Sequence, residues 1–282
     1  MSDREKPDSR KSAEYVLGAE PVERARLEHQ HQVWAGSARS AFARADVAPG
    51  WRVLDAGCGP GLVLAELREL VGEEGEVWGV DLVPEMVAEA RELAAVRGWQ
   101  NVRLLEGDLN EAELPPAAFD LVWLRWMLSF PADPGAIVTR LAACLRPGGR
   151  MVVQDYDHDG VGLFPRSGGF DAAVRATRAM YQRRGGDPWV GARLPALARA
   201  AGLELEDFRA EVGTGGPGEP VYEWADRFFP RYVDKYLAEG LMSVAEAEAF
   251  HSEWQERRAD PDTRFFSPIV VTAIARRPLC SR

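Results

Sequence analysis

Cysteine is scarce and scattered: Cys58, Cys144 and Cys280 are the three in the chain, and no two form a C-x-x-C pair. That excludes a disulfide framework and a zinc ribbon and implies a reducing, cytoplasmic setting. A run of about eighteen apolar residues is also missing, so no membrane span is expected. Met1 to Ser12 is polar and charged with no apolar core, which reads as a disordered tail rather than a signal peptide. Positive charge is in deficit: 34 Lys and Arg face 44 Asp and Glu, a formal net charge of −10. Without a basic stripe to compensate, this balance argues against a nucleic-acid ligand. Arg183-Arg184, Arg257-Arg258 and Arg276-Arg277 are isolated pairs, read here as solvated surface.

What the chain does have is alternation. Helical apolar spacing runs from Arg24 to Ala45, interrupted near Gly36. Strand Arg52–Ala56, helix Leu62–Val71, strand Glu76–Asp81, helix Pro84–Arg97 and strand Val102–Glu106 follow, separated by Asp/Pro/Gly clusters. Then come strand Phe119–Leu124, helix Pro134–Leu145, strand Arg150–Asp155, helices Asp171–Arg183 and Val190–Ala201, and strand Leu203–Ala210. A Gly/Pro-rich link at 213–220 leads to helices Tyr222–Leu237 and Val244–Arg257, and Phe265–Ala275 reads as the last strand. Pro230 lacks an N–H and should kink or restart the first of those two helices near Phe229. The pattern predicts an α/β fold with a doubly wound, mainly parallel, seven-stranded sheet and ligands at the strand carboxyl ends. The expected organisation is a tail (1–12), an N-terminal helical lid (13–50), an α/β core (51–212), a helical cap (213–262), and the last strand with the C-terminus (263–282).

Val53-Leu54-Asp55-Ala56-Gly57-Cys58-Gly59-Pro60-Gly61 is an apolar strand that ends on an acid and enters alternating glycines before a helix. Glycine allows a sharp turn and close approach of a ligand to the main chain, and the helix start offers free N–H groups. The spacing is G-x-G-x-G, not the G-x-G-x-x-G of a dinucleotide site, which speaks against a nicotinamide oxidoreductase. Asp81 ends the second strand about 20 residues further on, where a carboxylate can hold a ribose diol. Gly107-Asp108-Leu109 follows the third strand, Phe119-Asp120-Leu121-Val122 opens the fourth, and Leu145-Arg146-Pro147-Gly148-Gly149-Arg150 turns into the fifth. In this order and spacing, the stretch from Trp51 to about Tyr156 resembles class I S-adenosylmethionine-dependent methyltransferases. The similarity is to their small-molecule branch, with its quinone-ring and thiol-methylating members.

The resemblance implies S-adenosyl-L-methionine as cofactor and S-adenosyl-L-homocysteine as product. It places the methionine part along Asp55, Gly57, Cys58, Gly59 and Gly61, and the ribose hydroxyls on Asp81 beside Leu82. Met86 would pack on adenine, and Asp108 with Leu109 would hold its edge. Tyr15-Val16-Leu17-Gly18, Glu23, Arg26-Leu27 and Gln30 look like the leading helix of that branch. By that likeness Tyr15, Arg26 and Gln30 approach the methionine end, with the planar fork of Arg26 available to a carboxylate. Arg125, at the end of the fourth strand, either lines the cofactor or substrate side or pairs with an acid for structure. Leu128-Ser129-Phe130 departs from the family pattern, carrying no His where relatives often have one, so a base at that point is in doubt.

Asp155-Tyr156-Asp157-His158-Asp159-Gly160 lies at the rim where substrates enter. Its D-x-D-x-D-G spacing invites comparison with a calcium loop, but the twelfth position is Arg166, where a bidentate Glu is required, which speaks against calcium; a Mg²⁺ site like that of some catechol methyltransferases stays open, but no ligand residues are recognisable and none is assigned. His158, with Asp157, is read as a candidate acid/base, because a flanking carboxylate raises imidazole basicity; the alternative is a rim histidine without a catalytic role. His29 and His31 are two residues apart, hence on different helix faces, and His251 has no evident partner. Of the cap rings Tyr222, Trp224, Phe228, Phe229, Tyr232, Tyr236 and Trp254, most are assigned to packing, and a minority to an apolar wall for a flat or hydrophobic acceptor. Trp123-Leu124-Arg125-Trp126 does not resemble the N/D-P-P-Y/F element of base-directed methyltransferases. The expected activity is therefore in-line methyl transfer to an O, N, S or C nucleophile of a small organic molecule, by a cytoplasmic monomer or homodimer. The alternative is a non-catalytic S-adenosylmethionine-binding regulator or scaffold of the same fold.

Overall fold

Alternating strands bury their two sides in different places, and this sets the layers. The computed structural model describes residues 21–279. Strand β1 (Arg52–Ala56) sends Val53 into one core and Leu54 into another, and β4 (Phe119–Arg125) does the same with Leu121 and Trp123 against Val122 and Leu124. With β2 (Glu76–Asp81), β3 (Val102–Glu106), β5 (Leu145–Asp157), β7 (Glu204–Glu211) and β10 (Ile269–Arg276), they form a seven-stranded sheet ordered β3-β2-β1-β4-β5-β10-β7. Strands β1 to β5 pair in parallel, whereas β10 runs antiparallel to both β5 and β7. Helices α1 (Pro21–Arg44), α2 (Leu62–Val71) and α3 (Pro84–Val96) supply the core that holds Phe42, Leu64, Leu67 and Ala90. Helices α4 (Pro134–Cys144) and α6 (Val190–Ala200) supply the opposite one, with Ile137, Leu141, Leu194 and Leu197. This is the doubly wound, mainly parallel seven-stranded fold that the alternation predicts.

A third core belongs to the cap. Helices α5 (Gly168–Arg183), α7 (Pro220–Ala238) and α8 (Val244–Ala259) bury Phe170, Tyr222, Phe229, Tyr236, Phe250 and Trp254 together, with Tyr156 and Trp34 at its border. A small sheet of β6 (Gly162–Phe164), β8 (Thr214–Gly215) and β9 (Arg264–Phe266), ordered β6-β9-β8, edges this layer. The cap thus draws on chain from both sides of the 213–262 segment that the sequence marks for it. Where α5 meets α8, Gly169 has no room: a Cβ there would lie 2.4 Å from the Phe250 nitrogen and 2.5 Å from its Cα. Backbone cannot retreat as a side-chain tip can, so Gly169→Ala is expected to destabilise the protein by ~1–3 kcal/mol, read as a lowered Tm in thermal unfolding.

Several boundaries differ from the sequence expectation. Helix α1 is not interrupted at Gly36: Trp34 packs edge-on against Trp224 at 5.8 Å, and Ala38, Ala41 and Phe42 are buried on the far side of that glycine. Burial on both sides outweighs a glycine penalty of about 1 kcal/mol. Helix α7 does not restart at Pro230, because Trp224, Phe229, Tyr232 and Tyr236 anchor one continuous buried face across it. The expected last strand is split at Ser267-Pro268, which sends Phe265 to the small sheet and Val270 to the large one. The Arg146–Gly149 turn sits as a bulge inside a longer β5, since Phe119 pairs with Leu145 and Leu121 with Arg150. Among the described residues, no helix is long and apolar enough to cross a membrane.

Candidate active site

The carboxyl ends of β1, β2 and β4 open into a cavity of about 1310 Å³, roofed by α7 and walled by α5 and the end of β5. Pockets for a single drug-sized ligand run to roughly 300–1,000 Å³, so this space is larger than one such site. Its inner end is the glycine loop. Gly57, Gly59 and Gly61 have φ of +84°, +52° and +85°, the left-handed region where an L side chain is strained. The loop is folded back over β2: the Gly57 and Cys58 amides donate to the Val80 carbonyl at 2.8 and 3.0 Å, and the Gly59 amide donates to Asp81 Oδ2 at 2.8 Å. The other Asp81 oxygen accepts from the Val83 amide at 2.9 Å, so one carboxylate ties the loop to the start of α3. Burial pushes the Asp81 carboxyl above its ordinary value.

Two groups of opposite charge, Asp55 buried and Arg125 half-buried, face this inner end with unused hydrogen-bonding atoms. Asp55 is buried, its Oδ2 has no partner, and burial, offset in part by Arg125 and added to by Asp81, lifts its pKa to about 7. Arg125 stacks its guanidinium over the Trp126 ring at 4.5 Å, and its Nη2 meets His31 Nδ1 at 3.0 Å, while Nη1 has no partner. Burial draws the Arg125 pKa down to about 10, which leaves it a cation at neutral pH. His31 Nε2 in turn lies 3.4 Å from Glu66. An unsatisfied buried polar atom costs about 1–3 kcal/mol, more if charged, and such groups mark places where a ligand completes the bonding. A zwitterionic aminoacyl group has an ammonium for Asp55 and a carboxylate for Arg125.

The nominated residues separate into those the structure brings together and those it does not. Arg26, Gln30, Asp55, Gly57, Cys58 and Gly59 line the cavity, as do Asp81, Leu82, Met86, Asp108, Leu109, Arg125 and His158. Tyr15 lies outside the described residues. Gly61 is not in the lining; it begins α2, where a Cβ would lie 3.1 Å from Ala90, so it serves helix packing. Arg26 does not present an open fork: Nη2 and Nε hold Glu23 at 2.6 and 3.0 Å, and Nη1 donates to Gln30 Oε1 at 2.6 Å. Gln30 Oε1 also accepts from Trp224 Nε1 at 3.0 Å, so the pair joins α1 to the cap. Asp108 Oδ1 accepts from the Asn110 amide at 2.8 Å.

The Asp155–Gly160 segment corrects the sequence reading in two respects. Its three acids diverge: Asp155 accepts from the Leu128 and Tyr156 amides, Asp157 from the Asp159 amide, and Asp159 from Trp189 Nε1. Asp157 is therefore a turn cap, absent from the cavity wall, and does not raise His158 basicity. His158 is buried among the Tyr156 and Tyr181 rings; that burial, reinforced by Arg178, lowers its pKa to about 4, and Asp159 offsets little of it. Its Nε2 is buried without a hydrogen-bond partner. Among the described residues no group of three or more His, Cys, Asp or Glu is placed to hold a metal.

Sequence reasoning missed much of the outer wall. Trp126 has φ +53°, a strained conformation for a bulky residue, held by its amide donating to the Gln154 carbonyl at 2.9 Å. Its ring stacks on Tyr156 at 5.5 Å and 15°. Trp224, Phe228 and Phe229 of α7 and Tyr181 of α5 complete an aromatic chamber, while Tyr222, Tyr236 and Trp254 pack inside the cap. Arg183 and Arg184, read from sequence as solvated surface, are exposed and also border the cavity.

Comparison with known proteins adds the family. Residues 48–202, more than half of the chain, match the family described as Methyltransferase domain. Aklanonic acid methyltransferase DauC of Streptomyces sp. (strain C5) is 40% identical over 102 residues, which cover 36% of this chain and 46% of that protein. A ubiquinone biosynthesis O-methyltransferase of Xylella fastidiosa (strain 9a5c) is 36% identical over 208 residues, which cover 72% of this chain and 77% of that protein. The chain thus spans less than half of the first relative and about three quarters of the second. A crystal structure of a candidate methyltransferase from Bacillus halodurans C-125 shares the fold, with a TM-score of 0.60 at 19% identity, covering 85% of this chain and 98% of that one. With the glycine loop, the strand-end acids and the sheet order agreeing with these matches, the chain belongs to the methyltransferase-domain family of Rossmann-like fold.

Proposed function

We propose that this protein binds S-adenosyl-L-methionine at the inner end of the cavity and transfers its methyl group to a small organic acceptor held in the aromatic chamber. The observation that carries the reading is the unpartnered pair Asp55 Oδ2 and Arg125 Nη1, buried beside a glycine loop whose far side carries Asp81 and Asp108. In this reading Asp55 holds the ammonium and Arg125 the carboxylate of the methionine part, so that Arg125 takes the role the sequence likeness suggested for Arg26. Asp81 binds the ribose hydroxyls, Met86 packs on adenine, and Asp108 with Leu109 contacts its edge. When bound, the cofactor would supply an electrophilic methyl on a sulfonium, to be taken in line by the acceptor's nucleophilic atom with S-adenosylhomocysteine as the leaving group.

The chain's own task is then to align, to exclude water and to accept a proton where needed. Trp126, Tyr156 and Trp224 confine a flat acceptor, and alignment of reacting atoms about 3–3.5 Å apart supplies much of the rate. His158 is neutral at pH 7 and offers Nε2 to an acceptor proton, but burial makes it a weak base. It suits an acceptor that is itself acidic, such as a thiol, a phenol or a carboxylic acid, better than an alcohol. His158→Ala is expected to slow transfer by about 10-fold to 100-fold with cofactor affinity unchanged. Free Cys58 and Cys144, both buried, fit the cytoplasmic setting expected from the sequence.

The test is incubation with S-adenosylmethionine carrying a labelled methyl group and a panel of small acids, phenols and thiols, with products read by mass spectrometry. Labelled product is expected, and its formation about 10-fold to 100-fold more slowly by His158→Ala, at unchanged cofactor affinity, supports the imidazole's role at the acceptor. Tight cofactor binding with no labelled product across the panel would favour the non-catalytic regulator instead.

A further inference from the structure

Three elements that are distant in the chain meet at Arg125. A guanidinium carries five N–H donors and no acceptor, so a group that bonds it must offer a lone pair. His31, 94 residues away on α1, meets Arg125 Nη2 through Nδ1 at 3.0 Å. That contact assigns the imidazole's tautomer: Nδ1 accepts, and the ring proton is on Nε2, which lies 3.4 Å from Glu66 Oε1 on α2. Burial alone would raise the Glu66 carboxyl, but His31, Arg39 and Arg125 together hold it below its ordinary value, so it is ionised. Arg39 Nη1 reaches the same oxygen at 3.2 Å. Carboxylate, imidazole and guanidinium thus form a chain from α2 through α1 to the end of β4.

This arrangement gives Arg125 a property that Arg26 lacks. Glu23 takes both Nε and Nη2 of Arg26, matching its charge within one helix. A carboxylate placed directly on Arg125 would do the same and compete with an incoming anionic group. An imidazole that accepts at Nδ1 takes one N–H and leaves the positive charge whole. The Trp126 ring holds the guanidinium's face at 4.5 Å, His31 holds one edge, and Nη1 stays without a partner. Plane and rotation are then both set before a ligand arrives, and such preorganisation lowers the cost of binding. His31 itself is absent from the cavity wall, so it acts through Arg125. The helix that aims Arg125 also reaches the cap, since Gln30, the preceding residue, accepts from Trp224 Nε1 at 3.0 Å.

We propose that His31 is a positioning residue for the cofactor: accepting at Nδ1, it turns Arg125 so that Nη1 receives the carboxylate of the methionine part, and Glu66 holds the imidazole in the tautomer that can do so. This rests on the methyl-transfer reading and adds to it a residue that touches neither cofactor nor acceptor.

Calorimetry on the full chain tests this with two ligands. One is S-adenosylhomocysteine; the other is S-adenosyl-3-thiopropylamine, which keeps the ammonium and lacks only the carboxylate. His31→Leu fills similar space and cannot accept a hydrogen bond. It is expected to weaken S-adenosylhomocysteine about tenfold and to leave the decarboxylated ligand within about a factor of two, since only the first engages Arg125. His31→Gln, whose side-chain carbonyl can accept from Nη2, should recover most of the loss. His31→Ala carries the same expectation as His31→Leu should the latter not fold. Equal loss for both ligands would mean a packing role and overturn the proposal, as would unchanged S-adenosylhomocysteine affinity in His31→Leu or no recovery in His31→Gln. Binding of S-adenosylhomocysteine to the unaltered protein, measured first, keeps the two readings apart. Its absence defeats methyl transfer itself, whereas binding that His31→Leu weakens equally for both ligands defeats only the positioning role.

Discussion

Asp81→Ala lowers affinity for S-adenosylhomocysteine by on the order of 100-fold. Two hydroxyls that donate to a carboxylate lose their acceptor together, and hydrogen bonds to charged groups contribute about 1.5–3 kcal/mol each. The same side chain also accepts from the Gly59 and Val83 amides, so its removal releases the glycine loop as well as the ligand. Because both amides sit at the cavity rather than in the sheet, the fold persists, and apo stability falls by about 1 kcal/mol, the usual net contribution of a hydrogen bond. Calorimetry measures the first effect and thermal unfolding the second. Affinity within a factor of three of the unaltered protein, with the fold intact, would contradict the assignment of Asp81 to the ribose.

Cofactor affinity falls about 50-fold between pH 7 and pH 5, and Asp55 is the cause. Its pKa in the folded, ligand-free protein is about 7, and only the ionised form pairs with an ammonium, so each unit below that value removes nearly a factor of ten. The same shift acts on stability with a defined sign. The folded chain holds a proton on Asp55 that the unfolded chain has lost, so from about pH 4 to pH 7 rising pH lowers ligand-free stability. Asp155, whose pKa burial lifts to about 6, acts in the same direction. His158 opposes them: neutral when folded and protonated when unfolded, it adds stability as pH rises from its folded value of about 4 towards the ordinary imidazole range. Asp55→Asn is therefore expected to raise ligand-free Tm at pH 8 while weakening cofactor binding and flattening its pH profile. Titrations at pH 5, 6, 7 and 8, in buffers of different ionisation heat, check both the affinity and the proton released on binding. A profile equally steep in Asp55→Asn would assign the titration to another group.

Much of the core was legible because its signals are local. The ends of β1, α2, β2 and β3 coincide with the expected limits, since these short apolar segments are bounded there by Gly and Asp. The glycine spacing, with acids at the ends of β2 and β3, names a ligand chemistry because each residue's position along its strand also fixes its height in the sheet. Where expectation and structure part, the deciding contacts come from distant chain. Gly36 and Pro230 argue for breaks that burial against other elements overrides. Asp157 stands next to a histidine in the sequence, yet a turn directs its carboxylate to the Asp159 amide. The resemblance offers Arg26 to a carboxylate, until Glu23 and Gln30 are seen to occupy it while Arg125 keeps Nη1 open.

The order of strands and helices, the glycine turn and the acids that follow it were settled by residue order alone, because backbone preference and apolar periodicity act over a few neighbours. Which cation stays open, how far burial shifts Asp55 and His158, and that Arg183 and Arg184 reach Glu239 at the end of α7 were decided by tertiary packing. Desolvation and pairing depend on groups brought together across more than fifty residues of intervening chain, as with Arg184 and Glu239, 55 positions apart.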